Sequence, residues 1–407
     1  MENKKINIIM DSEKEESTIG VNWFEYEYVL PKDLKINYCE LDEITTEETY
    51  LLFIEQFDDA LVFIKYLKNR LEYIKTKINI LDYDLKIILI ATHESPDNTI
   101  EIIKILTNII KNNNWNESQF YIINNNSALP DIKRLLNSNM NFVKMNYLLR
   151  IMSDNQIKPV PSETDIIFDK KFIFLCLNRK PHNFRLALLG RLKNLKLLEN
   201  DITDWSSLNP FKFRSEEINS LLFLKKYISL QDKNLVKNCM ELFGETKLSY
   251  YEQNDDSFYD GGEWYPIAKG NKIDVFNNSY INIVTETHFE LQNYKIHITE
   301  KSFKPFYFFQ LPIFVAPYNH IKTMRDEYDF YFFDDFIDHS YYNEIDDTKR
   351  FNMVIDEIKK LSCMREEIKN YYKKNIDKLI HNHNFIKTYS EKEIEEKYYL
   401  ELINKKK

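Results

Sequence analysis

Short apolar runs and longer amphipathic stretches alternate along the first 150 residues. INIIM (6–10) and FYIINN (120–125) read as strands, and LKIILIA (85–91) is a continuous β-branched run of the kind that fills a buried parallel strand. YLLFIEQF (50–57) reads as a further strand or as the beginning of a helix. TIEIIKILTNIIKNN follows LKIILIA, its isoleucines recur at helical spacing, and LPDIKRLLN (129–137) reads as another helix start. Strand–helix–strand alternation with short links predicts a doubly wound α/β sheet. The polar, proline-containing DNQIKPVPSETD, between Ile151 and Lys170, interrupts the pattern as a linker would.

The pattern then restarts. KFIFLCL (171–177), YINIVTE (280–286) and LPIFVAP (311–317) predict strands. FRLALLGRLKNLKLL (184–198) and a stretch from Ser215, SEEINSLLFLKKYISLQ, predict helices. From about Thr348 the chain is rich in Lys and Glu and helical in pattern, through VIDEIKKL and KEIEEKYYLELINKKK. This divides the chain into an α/β domain at 1–160, a second at 161–365, and a C-terminal helical segment at 366–407. Two successive α/β units point to two facing Rossmann-like domains with parallel sheets.

Length and composition support this division. The 407 residues exceed one ordinary domain, and 43% hydrophobic residues with 14% aromatics can fill two cores. A net charge of −9 speaks against a nucleic-acid backbone binder. Cys39, Cys176, Cys239 and Cys363 are widely spaced with no CxxC pair, which removes the usual signs of zinc or a disulfide framework. The N-terminus has an apolar stretch of only five residues before acidic sequence, unlike a signal peptide or membrane anchor. A cytoplasmic protein with no membrane span is the expectation.

Ligands of open parallel sheets bind at the carboxyl ends of the strands. Three groups fall there: Glu94 after LKIILIA, Arg179 and Arg185 after KFIFLCL, and Glu300-Lys301 after YINIVTE. A lysine at a helix start opposes the macrodipole, and an anion bound there relieves that conflict. The competing reading is a solvated Glu-Lys pair above an aromatic helix. Arg185, at a helix entry, suits a bidentate grip on a pyrophosphate, or else belongs to a solvated basic cluster in LNRKPHNFR. Glu94 is a candidate general base or a carboxylate favoured at a helix start, and His93 is an alternative base.

Metal is not expected. Asp255-Asp256, Asp334-Asp335 and Asp346-Asp347 have no companion histidine at ligand spacing, and Asp82-Tyr83-Asp84 precedes its strand instead of following it. No GxGxxG, GxxxxGK[ST] or GxSxG motif occurs. The aromatic run FYFFDDFIDHSYY (330–342) reads as core or as a stacking surface for a sugar or base.

The segment YINIVTET…HITEKSFKPFYFFQLPIFVAP resembles the donor-binding signature of the alpha-1,3-fucosyltransferase family. It looks closer still to phage, giant-virus and bacterial glycosyltransferase-like proteins, which continue with an arginine, aromatics and a final arginine, matched here around Arg325 and Arg350. LNRKPHNFRLALLGRL resembles the arginine-bearing unit that opens the donor half of these proteins. The resemblance is patchy over 171–361 and specific across 280–317. It implies a GT-B fold, with an N-terminal acceptor domain, a nucleotide-sugar domain and a C-terminal helix that crosses back. It also implies inverting, metal-independent transfer of a sugar from a nucleotide-diphosphate sugar, GDP-fucose-like, to an acceptor hydroxyl. Carried over, Lys301 and Arg185 neutralise the diphosphate, Glu300 contacts the donor, and Glu94 is the general base. Glu286 is retained, whereas His297 replaces the motif tyrosine and Thr287 stands where an asparagine follows the glutamate. Those departures leave sugar and base open. The alternatives are a UDP-sugar or nucleic-acid-modifying transferase, or a non-catalytic nucleotide- or sugar-binding module.

Overall fold

The computed structural model describes residues 5–9, 35–39, 43–45, 49–55, 60–82, 84–90, 96–124, 138–144, 162–178, 182–199, 202–207, 224–242, 276–290, 296 and 298–389. They fall into two compact units, one built on 1–151 and the other on 152–292 and 298–388. Both are α/β, and among the described residues every strand pair is parallel.

The first unit runs β1 (Lys5–Ile9), β2 (Lys35–Cys39), β3 (Thr49–Glu55), α1 (Ala60–Lys77), β4 (Asp84–Ile90), α2 (Pro96–Asn112), β5 (Phe120–Asn124) and β6 (Asn141–Lys144). Its six strands lie in the order β2-β1-β3-β4-β5-β6, that of a doubly wound sheet with its reversal between β1 and β3. Leu85, Ile87 and Leu89 of β4 share one core with Leu67, Leu71 and Ile74 of α1 and Ile102, Ile103, Leu106 and Ile110 of α2. The isoleucine repeat of α2 therefore lines its buried face. YLLFIEQF supplies β3 and not a helix. Asp82 closes a short 3-10 turn and Asp84 opens β4, so that acidic triplet lies at the strand's entry, away from the ligand-binding end. The expected helix start at 129–137 lies outside the described residues.

The second unit runs β7 (Phe172–Asn178), α3 (Asn183–Asn194), β8 (Thr203–Ser207), α4 (Lys233–Leu242), β9 (Ser279–Thr285), α5 (Glu300–Tyr307), β10 (Leu311–Val315), α6 (His320–Glu327), α7 (Asp347–Ser362), α8 (Arg365–Lys374) and α9 (376–389). The sheet order is β10-β9-β7-β8. Both β9 and β10 are buried at every position, which is why their sequences run apolar without alternating. The helix read over 184–198 stops at Asn194, where Lys196 takes a positive φ of 59°. Of the helix expected from Ser215, 215–223 lies outside the described residues, Leu224 is helical, and 225–231 is turn and bend. In the aromatic run Phe330, Phe332, Phe333 and Tyr341 are buried, so it is core, with Tyr331 alone among its aromatic residues strongly exposed.

The helices α8 and α9 close the far end of α5. Tyr372 Oη donates to Phe309 O at 2.8 Å and His383 Nδ1 donates to Tyr307 O at 2.7 Å. The sequence beyond 389 lies outside the described residues. Among the described residues no helix is long and apolar enough to cross a membrane.

Two packing details carry predictions. Gly190 of α3 faces Cys239 of α4 so closely that a Cβ there would fall 2.2 Å from Cys239 Sγ. Gly190→Ala gains helix propensity, yet the clash should win, with a net loss of about 1–3 kcal/mol by chemical denaturation. Adding Cys239→Ala should restore most of that loss, and failure to do so would refute this contact as the cause.

Lys170, just before β7, is buried; its Nζ donates to Asn277 O at 2.7 Å and lies 4.9 Å from the Tyr372 ring centroid. Burial pushes its ammonium down from 10.5 to about 7. Between those values the unfolded chain binds a proton that the folded chain lacks, so this residue makes stability rise with pH. From pH 7 to 9, wild type should therefore gain melting temperature relative to Lys170→Met. Parallel curves would refute the assignment.

Candidate functional site

The second sheet changes direction of growth between β7 and β9, because β8 joins one side of β7 and β9 the other. A ligand crevice is expected outside the strand ends at such a switch point. The two strand ends are tied there, with Thr285 Oγ1 donating to Asn178 Oδ1 at 2.9 Å. Arg185, in the first turn of α3, is 3 % exposed, and its Nη2 donates to Thr285 O at 3.0 Å and Glu286 O at 2.8 Å. Burial lowers its guanidinium to about 10, against the opposing pull of Glu286, Cys176 and Glu300. The described contacts of Arg185 hold the end of β9.

Glu286 follows β9 directly and is fully buried. Its Oε1 accepts from Thr299 N at 3.2 Å and Ser302 Oγ at 2.5 Å, and its Oε2 accepts from Thr287 N at 3.1 Å and Thr299 Oγ1 at 2.6 Å. Burial alone would raise this carboxyl. Lys301 and the hydroxyls of Ser302 and Thr299 work against burial, and the carboxyl is held below its ordinary value.

Thr299 caps α5, its Oγ1 accepting from Lys301 N at 3.3 Å. Lys301 Nζ folds back over the same cap, 3.3 Å from Thr299 Oγ1, 3.4 Å from Thr287 Oγ1 and 3.2 Å from Glu300 Oε1. Both side chains of that pair remain partly open, at 30 % for Lys301 and 34 % for Glu300. Burial pulls the Glu300 carboxyl upward, but Lys301 and Lys304 hold it down at about 2. A partly exposed ammonium thus sits at the positive end of a helix, at the strand ends of the second sheet.

Arg185, Glu286, Glu300 and Lys301 are therefore brought together by the fold. Glu94, His93, Arg179 and His297 lie outside the described residues. The remaining arginines of the motif are occupied elsewhere. Arg325 pairs with Asp334 and lies over the Phe332 and Tyr342 rings, whereas Arg350 is buried against backbone carbonyls. The described acidic doublets have structural partners: Asp334 meets Arg325 and His339, Asp335 accepts from Tyr371, Asp346 caps α7, and Asp347 pairs with Lys226 and Arg350. Asp255-Asp256 lies outside the described residues. Among the described residues no group of three or more His, Cys, Asp or Glu side chains is placed to hold a metal ion.

Sequence reasoning missed Thr299, Ser302 and His320. Thr299 was findable, since a threonine ahead of an acidic first turn is a favoured cap. The contact of Ser302 with His320 joins positions eighteen apart and left no local signal. No family model, curated protein or solved structure matches the chain.

Proposed function

We propose that the protein is a glycosyltransferase that moves a sugar from a nucleotide-diphosphate sugar to an acceptor hydroxyl, with inversion. The observation that carries this reading is the Lys301 ammonium at the N-terminus of α5, placed at the switch point of a parallel sheet. Ammonium and helix end are both suited to a phosphate. The resemblance across 280–317 supplies the reaction class, and two parallel α/β units in one chain agree with a GT-B enzyme.

In this reading the second unit takes the donor and the first takes the acceptor. The acceptor oxygen attacks the anomeric carbon while the bond from that carbon to the diphosphate oxygen breaks. The bonding electrons leave with the diphosphate, and the acceptor proton passes to the base, assigned to Glu94. Charge grows on the leaving diphosphate during this step, so a fixed cation stabilises the transition state more than the ground state. Lys301 supplies that cation directly. Arg185 contributes from beneath the strand end, as a positioning charge.

Glu300 balances Lys301 without ligand. A donor phosphate would replace it as the partner of Lys301 and free it to accept from sugar hydroxyls. No metal is assigned a role in this scheme, and transfer is expected to survive a chelator.

A thermal-shift panel of GDP, UDP, CDP and their sugars tests the reading. One diphosphate should raise the melting temperature, and its sugar should be turned over with release of that diphosphate. Glu94→Ala should keep the shift and lose turnover. No shift with any nucleotide would sink the donor-site assignment. Binding without turnover would leave a nucleotide-binding module, and a UDP shift would move the donor from GDP- to UDP-sugars.

A further inference from the structure

The carboxylate of Glu286 is saturated. Two oxygens offer about four lone-pair sites, and four protein donors occupy them. With no exposure and no acceptor capacity left, Glu286 has nothing to offer a ligand directly. Its effect must pass through the groups that it holds, and one of these leads to a third element.

Ser302 Oγ, also fully buried, lies 2.5 Å from Glu286 Oε1 and 2.8 Å from His320 Nε2. A hydroxyl has one proton. An ionised carboxylate only accepts, so Ser302 gives its proton to Glu286 and accepts from an Nε2–H of His320. His320 Nδ1 is buried and, among the described residues, has no hydrogen-bond partner. A lone pair is less costly there than an N–H, which selects the neutral ring protonated at Nε2. Burial lowers the imidazole, with Glu286 pulling the other way, which agrees with that state.

Among the described residues the charged groups facing this ring are few. Glu286 is the nearest, and Lys301 acts on Glu286 from the far side. On α6 itself, Lys322 and Asp326 pair with each other.

We infer that His320 and Ser302 are positioning residues of the donor site: His320 from α6, through Ser302 of α5, fixes the Glu286 carboxylate and, through its bonds to Thr299, the cap that carries the Lys301 ammonium. The chain of contacts is continuous, from His320 Nε2 through Ser302 Oγ and Glu286 to Thr299 Oγ1 and Lys301 Nζ. This inference rests on the donor-site reading for its functional consequence, although the relay itself is a property of the ligand-free protein. Ser302 is fully enclosed, so it is not a nucleophile for an external substrate.

The test uses the full chain with His320→Gln, His320→Ala, Ser302→Ala and Glu286→Gln, and two measurements. The first is calorimetric affinity for whichever of GDP, UDP or CDP the wild type binds. His320→Ala and Ser302→Ala should weaken it about tenfold, the value of one buried hydrogen bond. His320→Gln keeps a donor near the Nε2 position and should bind within about threefold of wild type. A lower melting temperature in His320→Ala with wild-type affinity would make the relay purely structural and overturn the proposal.

The second measurement needs no ligand. Imidazole nitrogen NMR at pH 7.5 should show His320 protonated at Nε2, and Glu286→Gln should move its titration to lower pH, because the carboxylate charge is what holds it up. Protonation at Nδ1, or an unchanged titration in Glu286→Gln, would overturn the relay. If wild type binds none of GDP, UDP and CDP, the donor-site reading falls and with it the functional half of the inference. If His320→Ala does not fold, Ser302→Ala and His320→Gln decide the question.

Discussion

Lys301→Ala should weaken nucleoside-diphosphate binding about 10- to 100-fold while leaving the fold intact. The size follows from a charge-assisted hydrogen bond to phosphate, on the order of 1.5–3 kcal/mol. The fold should survive because Lys301 is partly exposed and, among the described residues, the polar contacts of its ammonium are with Thr287, Thr299 and Glu300 at 3.2–3.4 Å. Removing it eases a conflict with the helix dipole but also takes away the cation that holds Glu286 and Glu300 down, so the two effects oppose and the melting temperature without ligand should change only slightly. The cap itself does not depend on the lysine, since Thr299 Oγ1 is held by Glu286.

Glu300→Gln provides the opposing control. Its carboxylate competes with phosphate for Lys301, so its loss should leave diphosphate affinity equal or tighter and weaken only the sugar-bearing donor. Isothermal titration of both variants against the diphosphate and the intact donor separates the two roles. Equal affinity in Lys301→Ala and wild type would remove Lys301 from the site. A loss in Glu300→Gln as large as in Lys301→Ala would show instead that the pair acts only as a structural unit.

The long apolar strands were legible because burial on both faces leaves an uninterrupted run, as in LKIILIA, KFIFLCL, YINIVTE and LPIFVAP. The strands that escaped, β2, β6 and β8, are all sheet edges. Their sequences KINYC, NFVK and TDWSS are short and mixed, whereas β10, also an edge, is buried at every position and so reads as an apolar run. At the site, the Glu300-Lys301 pair was visible as a charge conflict at a helix start, and the structure puts it there. The environment of Glu286 was not visible. A glutamate at a strand end reads as a ligand contact, and only the packing of α5 and α6 over it reveals that its oxygens are consumed internally. Arg185 gives the same lesson, since its position was right while the acceptors of its Nη2 are carbonyls of the protein.

Arg350→Ala should be among the most destabilising single changes in the second unit, and it should act without touching nucleotide affinity. The side chain is 1 % exposed. Its guanidinium donates to Ala316 O at 3.2 Å, Glu344 O at 2.9 Å, Ile345 O at 3.5 Å and Phe289 O at 2.8 Å, and it pairs with Asp347. It also stacks 4.6 Å from the Phe289 ring centroid. One planar fork thus ties the loop after β9 to the loop after β10 and to the start of α7. Truncation removes a buried ion-pair partner and leaves carbonyls unpaired, at about 3–5 kcal/mol. For a unit of this size that is a fall in melting temperature on the order of 10 °C. Arg350→Lys should recover little, because one compact ammonium cannot reach carbonyls spread around a planar fork. Denaturation of both variants, with nucleotide affinity measured well below the melting temperature, gives the decisive comparison. A stable Arg350→Ala protein with weakened affinity would move Arg350 from the frame into the donor site.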